Sequence, residues 1–193
     1  MNKTIVFALI LGLVVVYGCA PSQMTFEKGV KKINELDKKY GSSLKSPPNS
    51  TDKITGLVAE LNNFKSANEN LPESLKYLVD FRIKFLEAEK LNAEGWQGGK
   101  ASTTEFGFGC NKGYARILES AGLRNASASR GFEAVELLQK FIDSYPEEAA
   151  SLDLSQRDVL SLKAAFFQEG EKAAKDARII RSLCKEQANA TGV

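Results

Sequence analysis

Apolar residues recur every three or four positions through most of this chain, and nowhere does a period of two persist long enough to make a strand. Phe26, Val30, Ile33, Leu36 and Tyr40 mark one face of a first helix over residues 26–40, which Gly41 stops. Residues 41–51 hold two adjacent prolines among serines and predict a linker. Ser50 or Thr51 can cap a second helix whose inward positions are Ile54, Leu57, Val58, Leu61 and Phe64. Pro72 suits the first turn of a third helix, where its missing N–H costs nothing, and that helix is predicted to run to about Gly95. The glycine-rich stretch 97–113, QGGKASTTEFGFGCNKG, predicts a loop.

A helical pattern resumes at Tyr114 and reaches Tyr145, where Pro146 ends it. Its inward positions include Ile117, Ala121, Ala128, Val135, Leu138 and Phe141. Its middle, SAGLRNASASRG, is rich in small residues and fits either a close helix contact or a break. Ser155 reads as the N-cap of a last helix, with Asp158 three residues on as a variant of the capping box. That helix carries a near-heptad seam through Val159, Leu162, Phe166, Ala173, Ala177, Ile180 and Cys184. The expected fold is all-α: a mostly antiparallel, up-and-down bundle of four or five helices, its two long C-terminal helices forming a hairpin.

The first residues follow a different rule. Lys3 is followed by an apolar run from Ile5 to Tyr17 broken only by Gly12. Thirteen helical residues span about 20 Å, short of a hydrocarbon core of roughly 30 Å, which fits a secretory signal peptide rather than a membrane span. Val16-Tyr17-Gly18-Cys19 resembles the prokaryotic lipobox. The resemblance covers residues 1–19 and implies that residues 1–18 are removed, that Cys19 becomes the lipidated first residue, and that the protein faces outward from a membrane. Residues 19–25 then form a tether and 26–193 a single helical domain. Acyl chains on Cys19 would hold it by burying methylenes at about 0.8 kcal/mol each, one chain being marginal and two or more stable.

The whole chain is close to neutral, at +2, which argues against a nucleic-acid partner. The charge is unevenly distributed: residues 27–53 hold seven lysines against four acids, whereas residues 133–158 hold seven acids against two bases. Solvated helix faces account for both runs, and the basic run nearest Cys19 also fits anionic headgroups. The chain has no histidine, and so lacks the commonest general base and metal ligand. Glycine-rich phosphate loops, Cys-x-x-Cys pairs and nucleophile elbows are also missing from the sequence, so no cofactor or metal is expected. Asn49, Asn125 and Asn189 begin glycosylation sequons; Asn49 in the linker and Asn189 in the tail are sterically suited, while Asn125 falls mid-helix.

Cys110 and Cys184 remain after Cys19, and outside the cytoplasm two thiols tend to pair. Cys110 lies 35 residues before Tyr145 and Cys184 29 residues after Ser155, or about 52 and 44 Å from the hairpin turn. That agreement favours a disulfide over two buried free thiols.

On the third helix Lys76, Asp80, Lys84 and Glu87 form one polar stripe, and Arg82 projects into the apolar face opposite. A buried guanidinium needs a partner. Either Arg82 pairs internally, with Glu89 or with a carboxylate such as Glu119 on a neighbouring helix, or it lines a ligand pocket. That pocket would lie at the bundle's end, with Glu89, Trp96, Phe106 and Phe108, and would suit an anionic or aromatic ligand. The leading expectation is a non-catalytic, membrane-anchored extracytoplasmic lipoprotein that serves as an interaction or envelope-structural module. The alternative is a ligand-binding lipoprotein that uses the Arg82, Glu89 and Trp96 end. An enzyme using carboxylate chemistry ranks third.

Overall fold

The computed structural model describes residues 24–68, 70–105 and 112–191. Six α-helices run through them: α1 Phe26–Tyr40, α2 Thr51–Ala67, α3 Glu73–Glu105, α4 Lys112–Ser144, α5 Pro146–Ser151 and α6 Gln156–Thr191. The described residues contain no strand, only one isolated bridge between Ser43 and Ser46. The all-α bundle expected from the sequence is what forms, with the short α5 interposed in the α4–α6 hairpin.

The helix ends follow local chemistry. The Thr25 hydroxyl accepts from the Lys28 backbone N–H and caps α1. Gly41 ends α1 in the left-handed region at φ 70°, which a side chain would disfavour, and donates its N–H to carbonyls of the last turn. Pro146 opens α5, where it displaces no hydrogen bond. At α6 the Ser155 backbone N–H and hydroxyl both donate to Asp158 Oδ2 at 2.9 Å, the reciprocal half of a capping box.

The core runs along α3. Leu75, Leu78, Val79 and Leu86 are fully enclosed there, with Leu57 and Leu61 of α2, Ile33 of α1 and Leu138 and Phe141 of α4. Each such side chain contributes about 1.5–3 kcal/mol by leaving water. Phe26 stacks on Phe141 with ring centroids 6.2 Å apart, and Phe85 meets the edge of Phe166 at 6.4 Å, which ties α1 to α4 and α3 to α6.

One boundary expected from the sequence is corrected. The stretch 97–113 is not a loop throughout: α3 continues through residue 97 to Glu105, and α4 begins at Lys112. Gly99, and Gly95 just before the stretch, face α4. Ser120 donates its hydroxyl to the Gly95 carbonyl at 2.6 Å, and seven residues on Ser127 donates to the Ala88 carbonyl at 2.8 Å. A Cβ at Gly95 would stand 2.7 Å from Arg124 Cγ, so only glycine permits this approach. Each helical glycine costs about 1 kcal/mol in propensity. The close α3–α4 contact and its serine–carbonyl bonds offset that. The small-residue run 120–131 is therefore a contact surface and not a break. Farther along, the Phe166 ring lies over Gly131, where a Cβ would come within 2.2 Å of it.

Residues 41–50 connect α1 and α2. They form a fastened turn: Ser43 and Ser46 exchange backbone hydrogen bonds of 3.1 and 3.0 Å, and Pro48 is buried. Lys45 reaches across to the α5–α6 turn, where it donates to the Asp153 carbonyl and pairs with Asp158 at 3.0 Å.

Candidate functional site

Arg82 is completely buried and its partner is Asp37, 2 % exposed, on α1. Nη2 and Nε of Arg82 donate to Asp37 Oδ1 at 2.5 and 3.2 Å. The remaining donors reach the fastened turn: Nη1 to the Leu44 carbonyl at 3.3 Å and Nη2 to the Ser46 carbonyl at 3.1 Å. Ser42 adds its hydroxyl to the same Asp37 oxygen at 2.7 Å. Burial pulls the Arg82 pKa down, and the adjacent Asp37 carboxylate pushes back. The guanidinium face also lies 5.6 Å from the Phe85 ring centroid. One arginine thus binds α1, α3 and the 41–50 turn together.

This settles the alternatives left open by the sequence in favour of an internal pair, with a different partner. Glu119 is exposed on α4. Glu89 is half-buried and feels Arg82 only through space: burial raises its carboxyl above the ordinary range, Glu169 raises it further, and Arg82 lowers it. Among the described residues Arg82 lines no opening: it is fully buried, with Asp37 and two backbone carbonyls around the guanidinium.

Trp96 belongs to a second centre, fourteen residues and about 21 Å farther along α3. The guanidinium of Arg124, on α4, lies 4.4 Å from the centre of its ring. Arg124 is 3 % exposed and pairs with two carboxylates of α6, Glu169 at 3.4 Å and Asp176 at 2.5 Å. Beside this group opens a groove of about 280 Å³ whose walls include Trp96, Ile117, Asp176, Ile179 and Ile180. Arg124 was not predicted from the sequence. Its signal was its place on the inward face of α4 between Ala121 and Ala128, with Ser120 and Ser127 also turned inward. A wider open depression of about 730 Å³ separates α1 from α5, lined by Phe26, Val30 and Leu152 among charged residues of both signs, and holds none of the predicted site residues.

The other predicted positions divide by location. Cys19, Phe106, Phe108 and Cys110 lie outside the described residues. Cys184 is half-buried on α6 and is not a free thiol. Asn49 is exposed in the fastened turn, Asn125 is exposed in mid-α4, and Asn189 falls within the last turn of α6. Among the described residues no group of three or more histidine, cysteine, aspartate or glutamate side chains could hold a metal ion, and no helix is long and apolar enough to cross a membrane. Comparison with protein families, curated proteins and solved structures finds no match to this chain.

Proposed function

We propose that the protein is a non-catalytic helical lipoprotein, held at the outward face of a cell-envelope membrane by lipid on Cys19 and acting there as an interaction or envelope-structural module. The observation that carries this reading is the commitment of Arg82. The most conspicuous charged residue in the core has all three guanidinium nitrogens donating to Asp37 or to the 41–50 turn, so it serves the scaffold. Support for the anchor comes from the lipobox-like Val16-Tyr17-Gly18-Cys19. The exposed lysines of α1, among them Lys28, Lys31 and Lys38, lie within about twenty residues of Cys19 and suit an anionic surface. Fractionation of cells expressing the wild type and Cys19→Ser tests the anchor: the wild type is expected in the membrane fraction with the mass of an acylated chain, and the variant without either property. Identical partitioning and mass would reject it. Mild crosslinking followed by co-purification then identifies an envelope protein partner.

A second reading, a ligand-binding lipoprotein, is favoured by the groove between Trp96 and Ile179. It moves the binding site from the Arg82 end to the Arg124 end of the bundle.

A further inference from the structure

We propose that the Trp96 groove binds a small organic cation, an ammonium group carried on a short apolar or aromatic body. This names the ligand class for the ligand-binding reading and is independent of the lipid on Cys19.

Charge decides the sign of the ligand. Arg124 pairs with two carboxylates, Asp176 on the groove wall and Glu169 outside the lining, so this triad of side chains carries one net negative charge. Exposure decides which of these a ligand meets. The Arg124 side chain is 4 % exposed, whereas Asp176 is 45 % exposed at the groove wall. Arg124 Nη2 occupies Asp176 Oδ2 and is the one donor the described residues give this carboxylate. An anionic ligand would have to displace Asp176 from Arg124 while facing it. A cation meets the accessible carboxylate directly and completes the charge balance.

The walls decide the body. Trp96 and Ile179 are two of the four large apolar residues that the described surface leaves exposed, and both line this groove. An indole ring is the best aromatic partner for a cation. A volume near 280 Å³ stands at the small end of ligand sites, which run from roughly 300 to 1,000 Å³, and so fits a molecule of about ten non-hydrogen atoms rather than a nucleotide.

Trp96 is the chain's single tryptophan, so its emission reports on this groove alone. The full chain, purified in detergent, is titrated with phenethylammonium and with two probes of similar shape, 2-phenylethanol and phenylacetate, while Trp96 fluorescence is followed and heats are measured by calorimetry. Phenethylammonium is expected to give a saturable change at a concentration at least tenfold below the other two, and 0.5 M salt is expected to weaken it. Asp176→Asn should raise half-saturation at least fivefold. Ile179→Ser, which leaves every ion pair in place, should raise it by a smaller factor and guards against a folding defect in the first variant. Preference for phenylacetate or phenylethanol, or equal response to all three, overturns the cation assignment while leaving a ligand-binding groove. Absence of any response in both measurements overturns the proposal and the ligand-binding reading together.

Discussion

Arg82 and Asp37 are 45 residues apart in the chain, yet they meet in the centre of the bundle through two hydrogen bonds to a single carboxylate oxygen, Oδ1. The pair unites three segments, because the guanidinium also donates to the Leu44 and Ser46 carbonyls. Removing either charge leaves the other buried and uncompensated.

Arg82→Met keeps much of the stem's packing and removes the charge, and should cost about 3–5 kcal/mol. Asp37→Asn should cost a similar amount, and the double variant should lose less than the sum of the singles. Chemical denaturation of the four proteins gives the coupling. The same cycle between Arg82 and Glu89 should give a far smaller value, since that pair shares no hydrogen bond. Losses near 1 kcal/mol in the single variants would contradict a sealed pair.

Glu89 supplies a pH dependence of definite sign. Its carboxyl is raised in the folded protein, first by burial and then by Glu169. At pH values below its ordinary pKa it is protonated in both states and contributes nothing. As pH rises from there through the raised folded value, the unfolded chain ionises first, so this residue lowers stability progressively and then levels off. Glu89→Gln should remove that decline. Urea unfolding at about pH 4 and about pH 7 should show the variant gaining on the wild type as pH rises. A difference independent of pH would count against it.

Gly131 and Gly122 both lie on α4 and should respond oppositely to alanine. At Gly131 the new methyl group would strike the Phe166 ring, and overpacking should cost about 1–3 kcal/mol despite the better helix propensity. At Gly122 nothing lies within 4 Å of the new atom, so the propensity gain of about 0.5–1 kcal/mol should survive. Melting curves of the two variants make the comparison, and a stabilised Gly131→Ala would overturn the close contact.

Cys110 and Cys184 should prove to be joined. Gly131 faces Phe166 and Ala128 faces Gly170 across α4 and α6. Carried on one residue for one, that antiparallel register brings Cys184 opposite residue 114, four residues beyond Cys110. Closing about 73 intervening residues is worth on the order of 4 kcal/mol in the chain-entropy model, so reductant should lower the melting temperature. Intact mass after alkylation in denaturant should show no reaction at either residue, and quantitative alkylation of both without reductant would exclude the bond.

Much of this architecture is legible in the apolar spacing, because helices that bury one face must repeat near 3.6 residues. The stripe of α1 and the burial of Arg82 follow from it, and the Ser155–Asp158 cap follows from the residue types at the start of α6. The partner of Arg82 does not. Asp37 stands four residues after Ile33, on the inward stripe of α1, and that misplaced carboxylate was the signal. Glu89 lies two turns along the same helix and Glu119 on a predicted neighbour, which makes them the carboxylates that the local pattern offers. Nothing local says that α1 folds back so as to place Asp37 over Arg82. The same gap explains residues 97–105. Glycine is a breaker by propensity, and the approach of Ser120 to Gly99 belongs to an α3–α4 contact that no local pattern announces.

The stack of Phe26 on Phe141 bears on reach. It brings the chain into the bundle beside the C-terminal end of α4, whereas Arg124 and the groove beside it lie seventeen residues back along that helix, or about 25 Å. Six residues lie between Cys19 and Phe26, and the seven Cα steps can extend by at most about 25 Å. A surface that gripped Cys19 would therefore have the groove within a sphere of about 55 Å radius, and the length of the bundle would set how far from that surface the Trp96 mouth could sample its surroundings.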